Sequence, residues 1–148
     1  MISLLDDYMS SLSSELDEKQ EFYGNIELFL YEAWGGCPKA LYNLGNYIWH
    51  DYRYQEMADC FISESAKKGY APAMYSHGDK LLVKAKNHSE LAAAIRLLKK
   101  AGKAGSSDAY KLLGDVFKAG KGVKKNAKRA KKYYSLAGND NSASNVAA

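Results

Sequence analysis

A short pattern that returns along the chain constrains the fold more than anything else in it. Residues Ala40–Gly45, Ala73–Gly78 and Ala109–Gly114 each read Ala, four residues, Gly, with spacings of 33 and 36. A second pattern follows each copy, from Ala58 to Phe61, Ala94 to Leu97 and Ala130 to Tyr133, at spacings of 36 and 36. Gly69 and Gly105 close the first two copies 36 residues apart, and Asn141 holds the third such position. Gly, and after it Asn, is the residue that ends helices in a left-handed conformation. A fixed period in the twenty-to-fifty range is the mark of a stacked-repeat architecture, in which each unit covers an apolar face of its neighbour.

Each unit reads as two short helices. The first carries large apolar residues at one-stripe spacing: Leu41, Leu44 and Ile48, then Met74 and Leu81, then Tyr110, Leu113 and Phe117. The second repeats it with Phe61 and Ile62, Leu97 and Leu98, Tyr133 and Tyr134, with Ala58, Ala94 and Ala130 a turn away. The small Ala and Gly positions allow close approach between helices. Pro38 and Pro72, the only prolines, fall in the first turn of first helices, where a missing N–H is harmless. Counting back from Gly36, Leu28, Phe29 and Ala33 take second-helix positions, and Leu5, Tyr8, Met9, Leu12 and Leu16 form an earlier stripe with Ser3 as N-cap and Asp6 three residues on. The expected fold is therefore all-α: an α-solenoid of antiparallel helix pairs with a period of about 36 residues and about seven or eight helices in all. A degenerate helix pair is expected over 1–35, repeats over 36–68, 69–104 and 105–138, and a polar tail over 139–148.

The chain of 148 residues, 47% hydrophobic and 26% charged, has the composition of an ordinary globular protein. Its apolar runs are too short to span a bilayer, and its start lacks the basic and apolar regions of a secretion signal, so a cytoplasmic address is expected. The net charge of +4 hides a polarised chain: 1–34 holds eight acids and one Lys, whereas 96–132 holds eleven Lys and two Arg against Asp108 and Asp115. Such asymmetry marks either an electrostatic partner surface or solvated helix faces.

The third unit resembles the Sel1-like repeats, relatives of the tetratricopeptide repeat. The resemblance rests on Ala109, Leu113, Gly114 and Phe117 in the first helix and Gly120, Gly122, Val123 and Asn126 in the bend. Ala130, Tyr133, Tyr134 and Ala137 carry it through the second helix. Phe117 stands where the family usually has Tyr, the first two units lack the Gly-x-Gly-Val bend, and His77 holds a position apolar in the other units, Leu44 and Leu113. The resemblance covers roughly 36–141 and implies a curved solenoid whose members usually bind other proteins.

Catalytic spacing is missing. There is no His-Glu-x-x-His, no Cys-x-x-Cys and no Gly-x-Gly-x-x-Gly after a strand. Lys121 is followed by Gly122 instead of the Ser or Thr of a phosphate-binding loop, so Gly120 and Gly122 are read as parts of a bend. His50 and Asp51 are neighbours on a helix and point about 100° apart. His77 lies on a packing stripe and His88 in a loop, and three or four converging ligands cannot be assembled. No enzyme activity, cofactor or metal is expected. In an antiparallel pair turning near residue 52, Cys37 and Cys60 are offset by about seven residues, or roughly 10 Å at 1.5 Å per residue. A disulfide needs Cα atoms within about 7 Å, so two reduced thiols are expected.

The basic end carries two stripes, Arg96, Lys99, Lys100 and Lys103, and Lys125, Lys128, Arg129 and Lys132, with no aromatic residue interleaved. They suit a solvated face, or an acidic protein partner, better than nucleic acid. In tetratricopeptide-like stacks the first helices line the concave side. Their residues off the packing stripe are Tyr42, Asn46, Trp49 and His50; Tyr75, Asp79, Leu82 and Val83; and Lys111, Asp115 and Lys118. Aromatic residues on such a face suit protein binding. The resulting expectation is a module binding one protein partner, most concretely an immunity protein that neutralises a toxin domain in a bacterium. A general adaptor and a nucleic-acid-associated protein are the alternatives; no membrane contact is expected.

Overall fold

The computed structural model describes residues 31–33 and 35–145, with side chains through 138. Besides the helical 31–33, six α-helices and one 3-10 turn lie among these residues, and no strand occurs among them: α1 Pro38–Ile48, α2 Gln55–Lys67, α3 Ala71–Lys84, α4 His88–Lys103, α5 Ser107–Ala119 and α6 Ala127–Asn145. The helices pair in chain order, α1 with α2, α3 with α4 and α5 with α6. The architecture is an all-α solenoid of helix hairpins. Two compact units divide the chain, 1–68 and 69–148. The apolar stripes expected over 1–30 lie outside the described residues.

In the first unit, Leu41, Leu44 and Ile48 of α1 bury against Ala58 and Phe61 of α2 and against Ala33, with Cys37, Tyr54 and Met57 around them. Burying a side chain such as Phe61 or Leu44 stabilises by about 1.5–3 kcal/mol, which makes this stripe the source of the hairpin's cohesion. Gly36 opens the hairpin at φ 77°, and Pro38 supplies the first residue of α1. Ser65, the one buried polar residue among those described, occupies the register position held by Ala101 and Ala137 in the other repeats. Its hydroxyl donates to the Pro38 carbonyl at 2.5 Å, tying the end of α2 to the start of α1.

The repeated glycines have a specific task. A Cβ on Gly45 would stand 2.7 Å from Ile62 Cγ1, on Gly78 2.9 Å from Leu98 Cδ2, and on Gly114 2.5 Å from Tyr134 Cε1. In each repeat, then, the first-helix glycine is the hole that receives a large residue of the second helix. The aligned alanines, Ala40, Ala73 and Ala109 on first helices and Ala58, Ala94 and Ala130 on second helices, are all buried. In the second unit the Tyr110 ring presses on Gly102, so α5 also seats on α4. Tyr133 stacks between Tyr110 and Phe117, with centroids 6.2 and 5.6 Å away.

Helix ends follow from local chemistry. Gly69 and Gly105 take φ 86° and 103°, the left-handed conformation expected from their register. Asn87 caps α4 by accepting from Glu90 N–H at 2.9 Å, and the Glu90 carboxylate accepts from Lys86 N–H and Asn87 Nδ2, both at 2.8 Å. This reciprocal capping starts α4 at His88, so that residue belongs to the helix and not to the loop. Ser106 caps α5 and Asn126 caps α6 through Ala109 and Arg129 N–H. Since α6 begins only at Ala127, Lys125 precedes the helix and does not share a face with Lys128, Arg129 and Lys132. α6 also runs on to Asn145, through Asn141 and into the segment read as a polar tail. No proline or glycine after Gly138 interrupts it, and helix ends are set by such breakers.

The first bend differs from its sequence reading. α1 stops at Ile48; its C-cap Trp49 keeps helical angles and donates its N–H to the Gly45 carbonyl, so it still follows the face of Tyr42 and Asn46, whereas His50 lies in the turn. The reason lies in Asp51, whose carboxylate accepts from Arg53 N–H at 3.0 Å and starts a 3-10 turn over Tyr52–Tyr54. An aspartate offering this local bond favours a turn over further helix.

Candidate functional site

The second unit contains an open groove of about 550 Å³. Its walls are the C-terminal half of α3 and the middle of α5, and its end is formed by the α3–α4 turn, the first turn of α4 and the bend after α5. Leu82, Val83, Leu91, Leu112 and Val116 supply an apolar lining, while Asp79, Asp115, Lys86, His88 and Lys121 supply polar groups. Val83 is 80% exposed at the lip of the groove, next to its apolar lining.

Local folding creates this space. The bend after α5 needs two left-handed residues, and Gly120 and Gly122 take them at φ 71° and 68°. Gly122 also lies so close to Leu91 that a Cβ would be 2.7 Å from its Cδ2, which lays the α5–α6 bend against the start of α4. Asp115 faces the groove with one carboxylate oxygen bound by the Tyr134 hydroxyl at 2.5 Å. That bond, with partial burial and the carboxylate charge, holds the Tyr134 phenol above its ordinary pKa, because the neutral phenol is the hydrogen-bond donor.

Of the residues read from sequence as a partner face, Asp79, Leu82 and Val83 on α3 and Asp115 on α5 come together here. The others are placed elsewhere. Tyr75 is half-buried on α3 a turn before Asp79 and does not line the groove. Lys111 pairs with Asp108 at 3.1 Å, and Lys118 is exposed next to a shallower hollow with Tyr134. In the first unit Tyr42 is half-buried, Asn46 and His50 are exposed, and Trp49 is 36% exposed.

Sequence reasoning did not assign Leu112, Leu91, Lys86 or Lys121 to a site. Leu112 carried a usable signal: it adjoins Leu113, and two neighbours on a helix cannot both face one packing partner. Leu113 is fully buried and Leu112 half-buried in the groove wall. Arg96, Lys99, Lys100 and Lys103 share an exposed face of α4 as expected. Arg129 instead lays its guanidinium over the Phe117 ring, 5.5 Å from its centre. Cys37 is half-buried and Cys60 exposed, both as free thiols. Among the described residues no group of three or more His, Cys, Asp or Glu is placed to hold a metal, and no helix is long and apolar enough to cross a membrane.

No family model and no curated protein matches the chain. Among solved structures it is similar to a Sel1 repeat protein from Oxalobacter formigenes, at 25% identity and a TM-score of 0.68, over 77% of this chain and 49% of that one. The chain has a Sel1-like repeat fold. This agrees with helix hairpins that return in a 36-residue register and seat each second helix on a first-helix glycine. The chain spans about half the length of the Sel1 repeat protein it matches.

Proposed function

We propose that this Sel1-like repeat chain is a non-enzymatic protein-binding module whose partner seats in the α3–α5 groove. The observation that carries the reading is the groove itself: an apolar lining, an exposed Val83 at its lip and polar groups at its end. Binding surfaces for peptides and proteins combine these features, with an apolar centre for affinity and a polar rim for orientation. In the finer form of the proposal the chain acts in the cytoplasm as an inhibitor that occludes one partner, as an immunity protein does to a bacterial toxin. Tyr75 on α3 adds an aromatic contact a turn from the groove, and Trp49 and Tyr42 form a further candidate contact on the first unit by itself.

The test begins by capturing the partner on the tagged chain and identifying it. Val83→Glu should then abolish capture with the helical circular dichroism unchanged, since Val83 is exposed and its replacement leaves the core intact. Trp49→Ala should weaken binding by about 2 kcal/mol, the loss expected for an aromatic anchor. If the captured protein arrests growth when expressed alone, co-expression of this chain should restore growth and the Val83→Glu variant should not. Binding unaffected by Val83→Glu would place the partner elsewhere, and a captured protein harmless to cells would remove the inhibitor reading.

A further inference from the structure

Resting on the groove reading above, we infer the class of segment that the groove takes: an acidic stretch of a partner protein with apolar anchors. Leu, Ile or Phe side chains enter between α3 and α5, and Asp or Glu side chains meet the lysines at the turn end. The inference starts from where charge accumulates. The α3–α4 turn and the α5–α6 bend lie side by side, as the contact of Gly122 with Leu91 requires. Lys84 ends α3, Lys86 follows it in the first of these turns, and Lys121, Lys124 and Lys125 come from the second, with Lys86 and Lys121 lining the groove itself. All five are exposed, and none forms an ion pair among the described residues.

The acids nearby offset this rim only in part. Glu90 accepts from the Lys86 N–H and the Asn87 amide as the α4 cap, and Asp115 accepts from the Tyr134 phenol, but these neutral donors leave both carboxylates charged. With Asp79 they set three negative charges against the five lysines, which leaves the end of the groove net positive. The N-terminus of α4 opens at the same place, and its dipole adds to the positive potential. An apolar trough whose end carries more lysines than carboxylates is complementary to a segment that is apolar where it inserts and acidic where it emerges.

Nucleic acid fits the same lysines less well. Four large rings on α5 and α6 are already engaged: Tyr110, Tyr133 and Phe117 stack on one another, and the Tyr134 ring fills the space above Gly114. None is offered to a base, and an apolar trough has no counterpart on a phosphate backbone.

The experiment uses the full chain and three short fluorescent peptides of one length: Leu spaced among Glu, the same with every Glu as Lys, and the same with every Leu as Ser. The Leu/Glu peptide should bind at least about tenfold more tightly than either control, a difference of about 1.4 kcal/mol. Val83→Glu should weaken it by a similar factor. Lys86→Glu with Lys121→Glu should do the same and flatten the dependence on salt. Equal or tighter binding of the Leu/Lys peptide, still sensitive to Val83→Glu, would overturn the acidic class while leaving the groove as the site. Binding no tighter than that of the Ser/Glu peptide would overturn the apolar anchoring. Failure of the Leu/Glu peptide alongside duplex DNA binding that the lysine changes abolish would overturn the inference in favour of nucleic acid.

Discussion

Gly114 shows how one residue carries the repeat. Its missing Cβ makes room for the Tyr134 ring, and that ring cannot easily swing aside because its hydroxyl is held by Asp115. Gly114→Ala should therefore destabilise by about 1–3 kcal/mol, as overpacking does. Gly138 provides the contrast, since a Cβ there would meet nothing within 4 Å. Gly138→Ala should stabilise by up to about 1 kcal/mol through helix propensity. Urea denaturation of the two variants beside the wild type checks both signs. The Tyr134–Asp115 bond has a pH signature of its own. Because the folded phenol titrates above its ordinary value of 10.0, the stability this bond contributes is fully present below that pH. It is lost as pH rises through the folded pKa. Tyr134→Phe should thus be less stable than wild type at neutral pH, and the gap should close in strongly alkaline solution. A gap that stays constant through that range would show that the bond does not couple to titration.

At the scale of the element, the two turns that end the groove are built from different chemistry. The α3–α4 turn is held by the reciprocal bonds of Asn87 and Glu90, and the α5–α6 bend by two left-handed glycines. Asn87→Ala removes the acceptor for Glu90 N–H and should cost about 1 kcal/mol. Gly122→Ala combines an unfavourable φ with a collision against Leu91, so it should cost at least as much and also displace the groove end. Thermal melts give the stabilities. Binding of the Leu/Glu peptide separates the variants: Gly122→Ala should weaken it, whereas Asn87→Ala should leave it nearly intact once the protein is folded. Equal effects on peptide binding would mean that the bend does not shape the site.

For the molecule as a whole, the polarised charge has a consequence for stability. Thirteen bases against two acids over 96–132 crowd like charges onto α4 and α6, where neighbours three and four residues apart stand about 5–6 Å from one another. That spacing is shorter than the Debye length of about 10 Å at 0.1 M salt, so the repulsion is felt there and fades only toward molar salt. The melting temperature should rise with sodium chloride. Replacing Lys99, Lys103, Lys128 and Lys132 by Gln should raise it at low salt and flatten the slope. A melting temperature independent of salt would show that the lysines are far enough apart to ignore one another.

What sequence alone determined was the periodic part of the fold. Ala, Gly and large apolar residues recur in one register because every hairpin must solve the same packing problem, so helix pairing, the Gly69 and Gly105 turns and the buried alanines were legible without coordinates. Asp79, Leu82, Val83 and Asp115 were legible for the same reason as first-helix positions off the packing stripe. The aperiodic features came from local bonds and from packing between hairpins. The end of α1 before Trp49 depends on a carboxylate–amide bond two residues apart, and the run of α6 to Asn145 on the lack of a breaker. Leu112, Leu91 and Lys121 meet in one wall because α5 and its glycine bend lie against the start of α4. Periodicity reports which face a residue occupies on its own helix; which side chains from other helices share that space is set by how the hairpins pack.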